Sequence, residues 1–425
     1  MAAAIMKPKL LFISPILPSP DGPGLAMRPY YQIVSLSRSY AIHLLVVADR
    51  MPGKPPTDGK IEAYCDMIEY MDRLRFSGWK FSLWHRVCRL IDQATHLIRG
   101  DTPGFAVDLG DRHYLRHHPT LAKLYRIKFD RVHVFRFYLF PVAEILKKRG
   151  LDAFYSIDID DIESETRHSI SALLSVNGEV KKAAAMSRDS AVFFTLEARK
   201  IPEYHQIFTC SHHDQSLLKK RFPGKDISVL PNVIPLTKRV RIHKTNSVFT
   251  LLFVGTMGYY PNADAVCFFA EQIAPVLRDK SRVPWQLRVV GTVSDQAWIG
   301  RFASHPEIKF VGWVEDLGPE YDTTDIVVAP IRGGGGTRIK ILEAFSHGIP
   351  VVSTVKGAEG LDVENGEHLL MEDDPRRFAL ACLKLMNDSE MADALSCCAL
   401  DLMKTRYSPQ AVHTAWTGQS LESIT

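Results

Sequence analysis

Residues 326 to 350 read IVVAPIRGGGGTRIKILEAFSHGIP. An apolar run ends in four glycines, Gly333 to Gly336, and helical periodicity sets in at about Thr337. Glycines let the backbone turn sharply and bring its N–H groups against a ligand. The helix start adds unpaired N–H groups and the positive end of its dipole. Together these make an anion site, and Arg338 and Lys340 put two full positive charges beside it. Lys340, Glu343 and His347 fall at i, i+3 and i+7, on one helix face with Gly336. A cation near the helix start and a carboxylate one turn later are spaced to hold a diphosphate and a ribose diol together. The plainer alternative is a flexible glycine loop ahead of a surface Lys340–Glu343 pair. No G-K-[ST] follows, which excludes a Walker A loop. No G-x-G-x-x-G opens a first βαβ unit, so a dinucleotide dehydrogenase fits badly.

A second cluster is SIDIDDIES, Ser156 to Ser164, at the end of a predicted strand, where α/β proteins keep active residues. Asp158, Asp160, Asp161 and Glu163 repel one another unless a cation or proton is near. Asp158 or Asp161 can act as electrostatic stabiliser or base toward a hydroxyl. Alternatively, Asp161 or Ser164 caps the next helix, or the carboxylates hold a metal. The first predicted strand is followed by PILPSPDGPG, with Gly22 and Gly24, and then a helix carrying Arg28. This turn either approaches a sugar or phosphate or is a proline-stiffened surface loop with an exposed arginine.

The elements that must position these residues alternate. Strands are predicted at Lys9 to Ser14, Ile42 to Ala48, Asp152 to Ile157, Gln206 to Cys210 and Ile227 to Leu230. A second series runs Thr250 to Gly255, Gln286 to Gly291, Ile308 to Val311, Ile326 to Pro330 and Pro350 to Ser353. Nearly continuous apolar strands of this length suit parallel sheets covered on both faces. Helices are predicted at 262–278, 337–347, 375–405 and about 408–425. The pattern is α/β with two doubly wound sheets. Pro231 to Val248, with two prolines and five basic residues, reads as the linker.

Composition fits a globular chain of two or three domains: 425 residues, 46% hydrophobic, 24% charged, mean hydropathy −0.06. That excludes a largely disordered chain and a polytopic membrane protein. Lys7 and Lys9 interrupt the short apolar start, which argues against a cleaved signal. A net charge of +4 is too even for a nucleic-acid binder. Seven cysteines without a C-x-x-C pair point to a reducing cytosol. Neither H-E-x-x-H nor G-x-S-x-G occurs. Residues 73–136 are basic and carry Phe76, Trp79, Phe81 and Trp84, a pattern compatible with docking on an anionic membrane or with a solvated face.

Gly333 to Ala344, GGGGTRIKILEA, followed by Gly348-Ile349-Pro350-Val351-Val352, resembles the donor-site signature of family 4 GT-B glycosyltransferases, in the branch with G-G-G-T-R-x-K-x-L-E-A. Leu252 to Met257 with Pro261-Asn262, Phe310 to Val314 and Lys356 to Leu361 resemble other motifs of that branch, in the same order. The resemblance implies two Rossmann-like doubly wound domains facing a central cleft. Residues 1–235 would form the acceptor side, with the C-terminal helix packing back on it, and 236–407 would bind the nucleotide sugar. It implies that Glu343 holds the donor ribose and that Gly312, Trp313 and Val314 flank the base. Gly255, Gly258, Gly334, Gly335, Gly336 and Thr337 complete the donor site, and Gly22, Gly24 and Arg28 lie on the sugar and acceptor side. Asp158 and Asp161 match the branch's N-terminal acids.

Two departures stand out. The acid expected eight residues before Glu343 is Gly335, and nothing basic lies between Gly255 and Arg278. Arg338 and Lys340 take over as the phosphate cations. The expected reaction is retaining hexosyl transfer from a nucleoside-diphosphate sugar to an acceptor hydroxyl, in the cytoplasm or on the inner membrane face. No cofactor or metal is expected. The acceptor is a lipid-linked glycan, a polysaccharide or a small molecule. An epimerase, a phosphorylase or a non-catalytic nucleotide-sugar-binding subunit are the alternatives.

Overall fold

A computed structural model of the chain describes residues 7–21, 24–48, 59–72, 116–237, 248–293 and 295–417. The chain divides into two compact units, one of residues 1–171, 179–233 and 409–425, the other of 172–178 and 234–408.

In the first unit, β1 (Lys9–Ser14), β2 (Ala41–Ala48), β3 (Met67–Asp72), β4 (Arg131–Phe135), β5 (Phe154–Ile159), β6 (Gln206–Thr209) and β7 (Asp226–Val229) pair in parallel, in the order β3-β2-β1-β4-β5-β6-β7. Side chains alternate across a strand, so each of these apolar runs feeds two cores. Leu11 and Ile13 pack with Val132, Val134, Ile157, Phe137 and Phe193 on one face. Leu10 and Phe12 pack with Leu44, Phe208, Tyr30 and Ile33 on the other. Helix Pro409–Thr417 joins the second core through Val412 and Trp416. The Trp416 ring lies 4.2 Å from Phe208 and 4.9 Å from His133, centroid to centroid.

In the second unit, β8 (Phe249–Val254), β9 (Trp285–Val290), β10 (Ile308–Gly312), β11 (Ile326–Ala329), β12 (Val351–Ser353) and β13 (Leu370–Met371) pair in parallel in the order β10-β9-β8-β11-β12-β13. The strand order reverses between β8 and β11, so the loops that leave their carboxyl ends diverge.

Among the described residues, three strands lie beyond those the sequence pattern picks out. The central β4 reads RVHVF, and its terminal arginine disguises a buried VHVF. β3 carries charges at Glu69 and Asp72, and β13 has two residues. The predicted helix 375–405 is two, Pro375–Asn387 and Ser389–Arg406, because Asp388 breaks the periodicity and its carboxylate accepts from the Met391 N–H. No helix among the described residues is long and apolar enough to cross a membrane.

Candidate functional site

Beyond β11 the chain runs through the glycines, and the helix starts at Ile339, two residues later than periodicity suggests. The delay has a cause. Arg338 stands at the cap position and turns back, its Nη1 donating to the Gly335 carbonyl at 2.6 Å and its Nη2 to the Gly333 carbonyl at 3.2 Å. Gly334 and Gly336 have φ of 91° and 72°, in the left-handed region. A Cβ on Gly334 would lie 2.6 Å from the Tyr259 hydroxyl oxygen. Arg338 is therefore a brace inside the loop, 8% exposed, and not the free phosphate cation the sequence suggests. Its Nε and the Thr337 Oγ1 are buried without a partner among the described residues. Unmet polar atoms of this kind invite explanation by a ligand or water.

Lys340 lies in the first turn of the helix Ile339–Ser346 that follows this loop. Its Nζ is 4.1 Å from the Phe253 ring centroid and donates to Asn262 Oδ1 at 2.9 Å. Asn262 is oriented in turn by donating from Nδ2 to the Thr256 carbonyl at 3.0 Å. Gly255 is required here, since a Cβ would stand 2.7 Å from that amide. Burial pushes the Lys340 pKa down to about 7, and nearby Arg338 pushes the same way against the pull of Glu343. Gly258, by contrast, meets nothing closer than a Thr256 methyl at 3.8 Å.

Glu343 accepts a hydrogen bond from the Tyr321 hydroxyl at Oε2, at 2.8 Å. Burial raises its pKa, while Tyr321 and Lys340 hold it back. Lys340 and Glu343 are thus two half-buried groups with separate partners, and not a surface pair. Trp313 follows β10 and is 71% exposed, with Val314 half-buried beside it. Since the sheet is parallel, Gly255, Gly258, Trp313, Val314 and the glycine loop all leave its carboxyl edge. Asn262 and Tyr321 were not among the sequence candidates. Asn262 lies in the helix Tyr260–Phe268 after β8, and Tyr321 in the helix Gly318–Asp322 after β10. The sequence marked Asn262 as part of a motif and gave no role to either side chain.

In the first unit the acidic cluster finds its cations. Arg28, 3% exposed, donates from Nε and Nη2 to the two Asp158 oxygens at 2.9 Å each, and from Nη1 to the Leu230 carbonyl at 2.8 Å and Asn232 Oδ1 at 3.1 Å. Gln32 also donates to Asp158, which is 0% exposed. Arg28 is neither an exposed arginine nor a free sugar contact, and Asp158 has no oxygen open to act as a base. The pair instead ties the helix Gly24–Leu36 to the end of β5. Arg136, which sequence reasoning passed over, binds Asp160 and Asp161 at 2.6 Å each. Its φ of 77° is the one positive value at a non-glycine among the described residues. Burial opposes the Arg136 charge, but the two carboxylates outweigh it and raise its pKa well above the ordinary value. Burial raises the Asp160 pKa, against Arg136 and Arg28. Asp161 keeps Oδ1 buried without a partner among the described residues. Ser164 lies within the helix Glu163–Val176, and its N–H donates to Glu197 Oε1 at 2.9 Å. Gly24 is the first residue of its helix. Gly22, residues 73–115 of the basic stretch and residues 238–247 of the linker lie outside the described residues.

Two Rossmann-like parallel-sheet units of seven and six strands, among the described residues, give the chain the GT-B fold. Residues 248–388, within the second unit, match the family model for glycosyl transferases group 1. Among solved structures, Anabaena HepE in complex with UDP and glucose superposes with a TM-score of 0.63 at 14% identity, covering 98% of this chain and all of that one. Sucrose-phosphate synthase from Thermosynechococcus elongatus superposes with a TM-score of 0.64 at 12% identity, covering 97% and 98%. An uncharacterized 44.6 kDa protein in the cps region of Klebsiella pneumoniae is 24% identical over 168 residues. That match takes in 35% of this chain and spans 40% of the relative's length.

Proposed function

We propose that the chain is a retaining glycosyltransferase that moves a hexosyl group from a nucleoside-diphosphate sugar to an acceptor hydroxyl. One observation carries the reading. The braced loop Gly333–Gly336, the cation Lys340 and the carboxylate Glu343 stand in sequence at the carboxyl edge of the second sheet, inside the region that matches glycosyl transferases group 1. Glu343 would accept from the ribose hydroxyls, and Trp313 and Val314 would flank the base. Charge builds on the diphosphate as the glycosidic C–O bond opens. The Lys340 ammonium and the N–H groups of the loop and helix start would stabilise it, with Arg338 holding that loop in shape. The residues supply this positive charge themselves, so the reading calls on no metal or cofactor. Asp161, held by Arg136, is the acid we assign to the sugar and acceptor side.

HepE is held with UDP, which makes UDP-sugars the first donors to test. The acceptor would be a lipid-linked glycan, a polysaccharide or a small-molecule hydroxyl, met in the cytoplasm or at the inner membrane face. Incubation of the purified chain with UDP-, GDP- and ADP-sugars and a panel of glycosyl acceptors should release nucleoside diphosphate and give a product of unchanged anomeric configuration by NMR. An inverted product would remove retention. Gly335, where the related motif has an acid, favours a second reading, a non-catalytic nucleotide-sugar-binding subunit. Transfer by the chain alone would dispose of it.

A further inference from the structure

Tyr321 is 1% exposed, yet its hydroxyl is committed to a residue of the candidate donor site. It donates to Glu343 Oε2 at 2.8 Å, while its ring stacks on His347 with centroids 4.6 Å apart and planes 19° apart. His347 is fixed to the same helix, its Nδ1 lying 2.9 Å from the Glu343 carbonyl oxygen. The stack sets the direction of the phenol, and the phenol sets the rotamer of the carboxylate. Oε2 is thereby occupied, and the hydrogen bond seen at the Glu343 carboxylate among the described residues falls on Oε2 and not on Oε1.

We propose that Tyr321 is a positioning residue that makes the site selective for ribonucleotides over 2′-deoxyribonucleotides, by fixing Glu343 so that Oε1 meets the ribose hydroxyls. The inference rests on the donor reading above. A carboxylate reads a diol only while it is ionised and held still. Burial raises the Glu343 pKa, and two groups oppose that rise, the Tyr321 hydroxyl and the Lys340 ammonium. Arg338 acts on Lys340 from the helix cap, and His347 meets both the Tyr321 ring and the Glu343 carbonyl. Without the phenol, Glu343 takes up a proton more readily and swings, so the ribose contact weakens most at low pH.

The test is calorimetric titration of UDP, ADP and GDP, each beside its 2′-deoxy counterpart, into the wild type, Tyr321→Phe and Glu343→Gln. The wild type should favour the ribonucleotide. In Tyr321→Phe that preference should fall about tenfold at pH 6.5 and partly recover at pH 9, as expected for a lost hydrogen bond to a charged group. In Glu343→Gln it should fall at both pH values. A Tyr321→Phe variant that keeps the wild-type preference overturns the inference. So does one that weakens both nucleotides equally, or a wild type that binds both alike. If none of the three ribonucleotides binds the wild type, the donor reading fails and this inference goes with it.

Discussion

Arg28 and Asp158, 130 residues apart in the chain, meet in a two-point hydrogen-bonded ion pair with both side chains almost wholly buried. Truncating one member leaves the other charge buried and unpaired. Arg28→Ala should therefore lower stability by about 3–5 kcal/mol, read as a fall in the denaturant midpoint of the first unit. A loss below about 1 kcal/mol would mean that the pair is not formed.

Lys340 predicts a pH dependence. Its folded pKa of about 7 lies below the ordinary lysine value, so above pH 7 the folded state binds fewer protons than the unfolded chain. Stability should rise from about pH 7 toward pH 10 and lose that slope in Lys340→Met. A diphosphate bound beside Lys340 would restore its charge, so binding at pH 8 should take up close to one proton. Titrations in two buffers of different ionisation enthalpy measure this. Equal heats in both would sink the assignment of Lys340 as the diphosphate cation.

How much of this was legible in the sequence depends on range. Parallel strands buried on both faces write themselves as apolar runs, and Leu10 to Ile13 could hardly be read otherwise. β4 was hidden because Arg131 and Arg136 frame it, and the residues around it read as a basic surface. The glycine loop with Arg338, Lys340 and Glu343 was visible because loop and helix are contiguous. The partners were not. Asn262 reaches Lys340 across 78 positions, and Tyr321 reaches Glu343 across 22. Nothing in local spacing foretells that Arg338 bends back on its own loop, or that Arg136 takes a left-handed φ.

Two glycines should separate cleanly. Gly334→Ala places a Cβ against the Tyr259 hydroxyl at a φ of 91°, and should cost about 1–3 kcal/mol and weaken nucleotide binding. Gly258→Ala makes only an ordinary contact with the Thr256 methyl at 3.8 Å and should leave stability within about 0.5 kcal/mol. Thermal shift with and without nucleotide checks both. Equal behaviour of the two variants would contradict the loop geometry.

Trp416 anchors the C-terminal helix Pro409–Thr417 to Phe208 and His133. Trp416→Ala should cost about 3–5 kcal/mol, and deletion from residue 409 should destabilise the first unit while the second keeps its own transition. Unfolding of the truncated chain, followed by circular dichroism, shows which unit is affected.

If the second unit grips a nucleotide sugar, one calorimetric series shows it directly. UDP-, GDP- and ADP-sugars are titrated into the wild type and Glu343→Ala. At least one should bind the wild type saturably, and Glu343→Ala should weaken it by about tenfold or more. No heat from any donor at millimolar concentration, or equal affinity in the variant, would contradict the account.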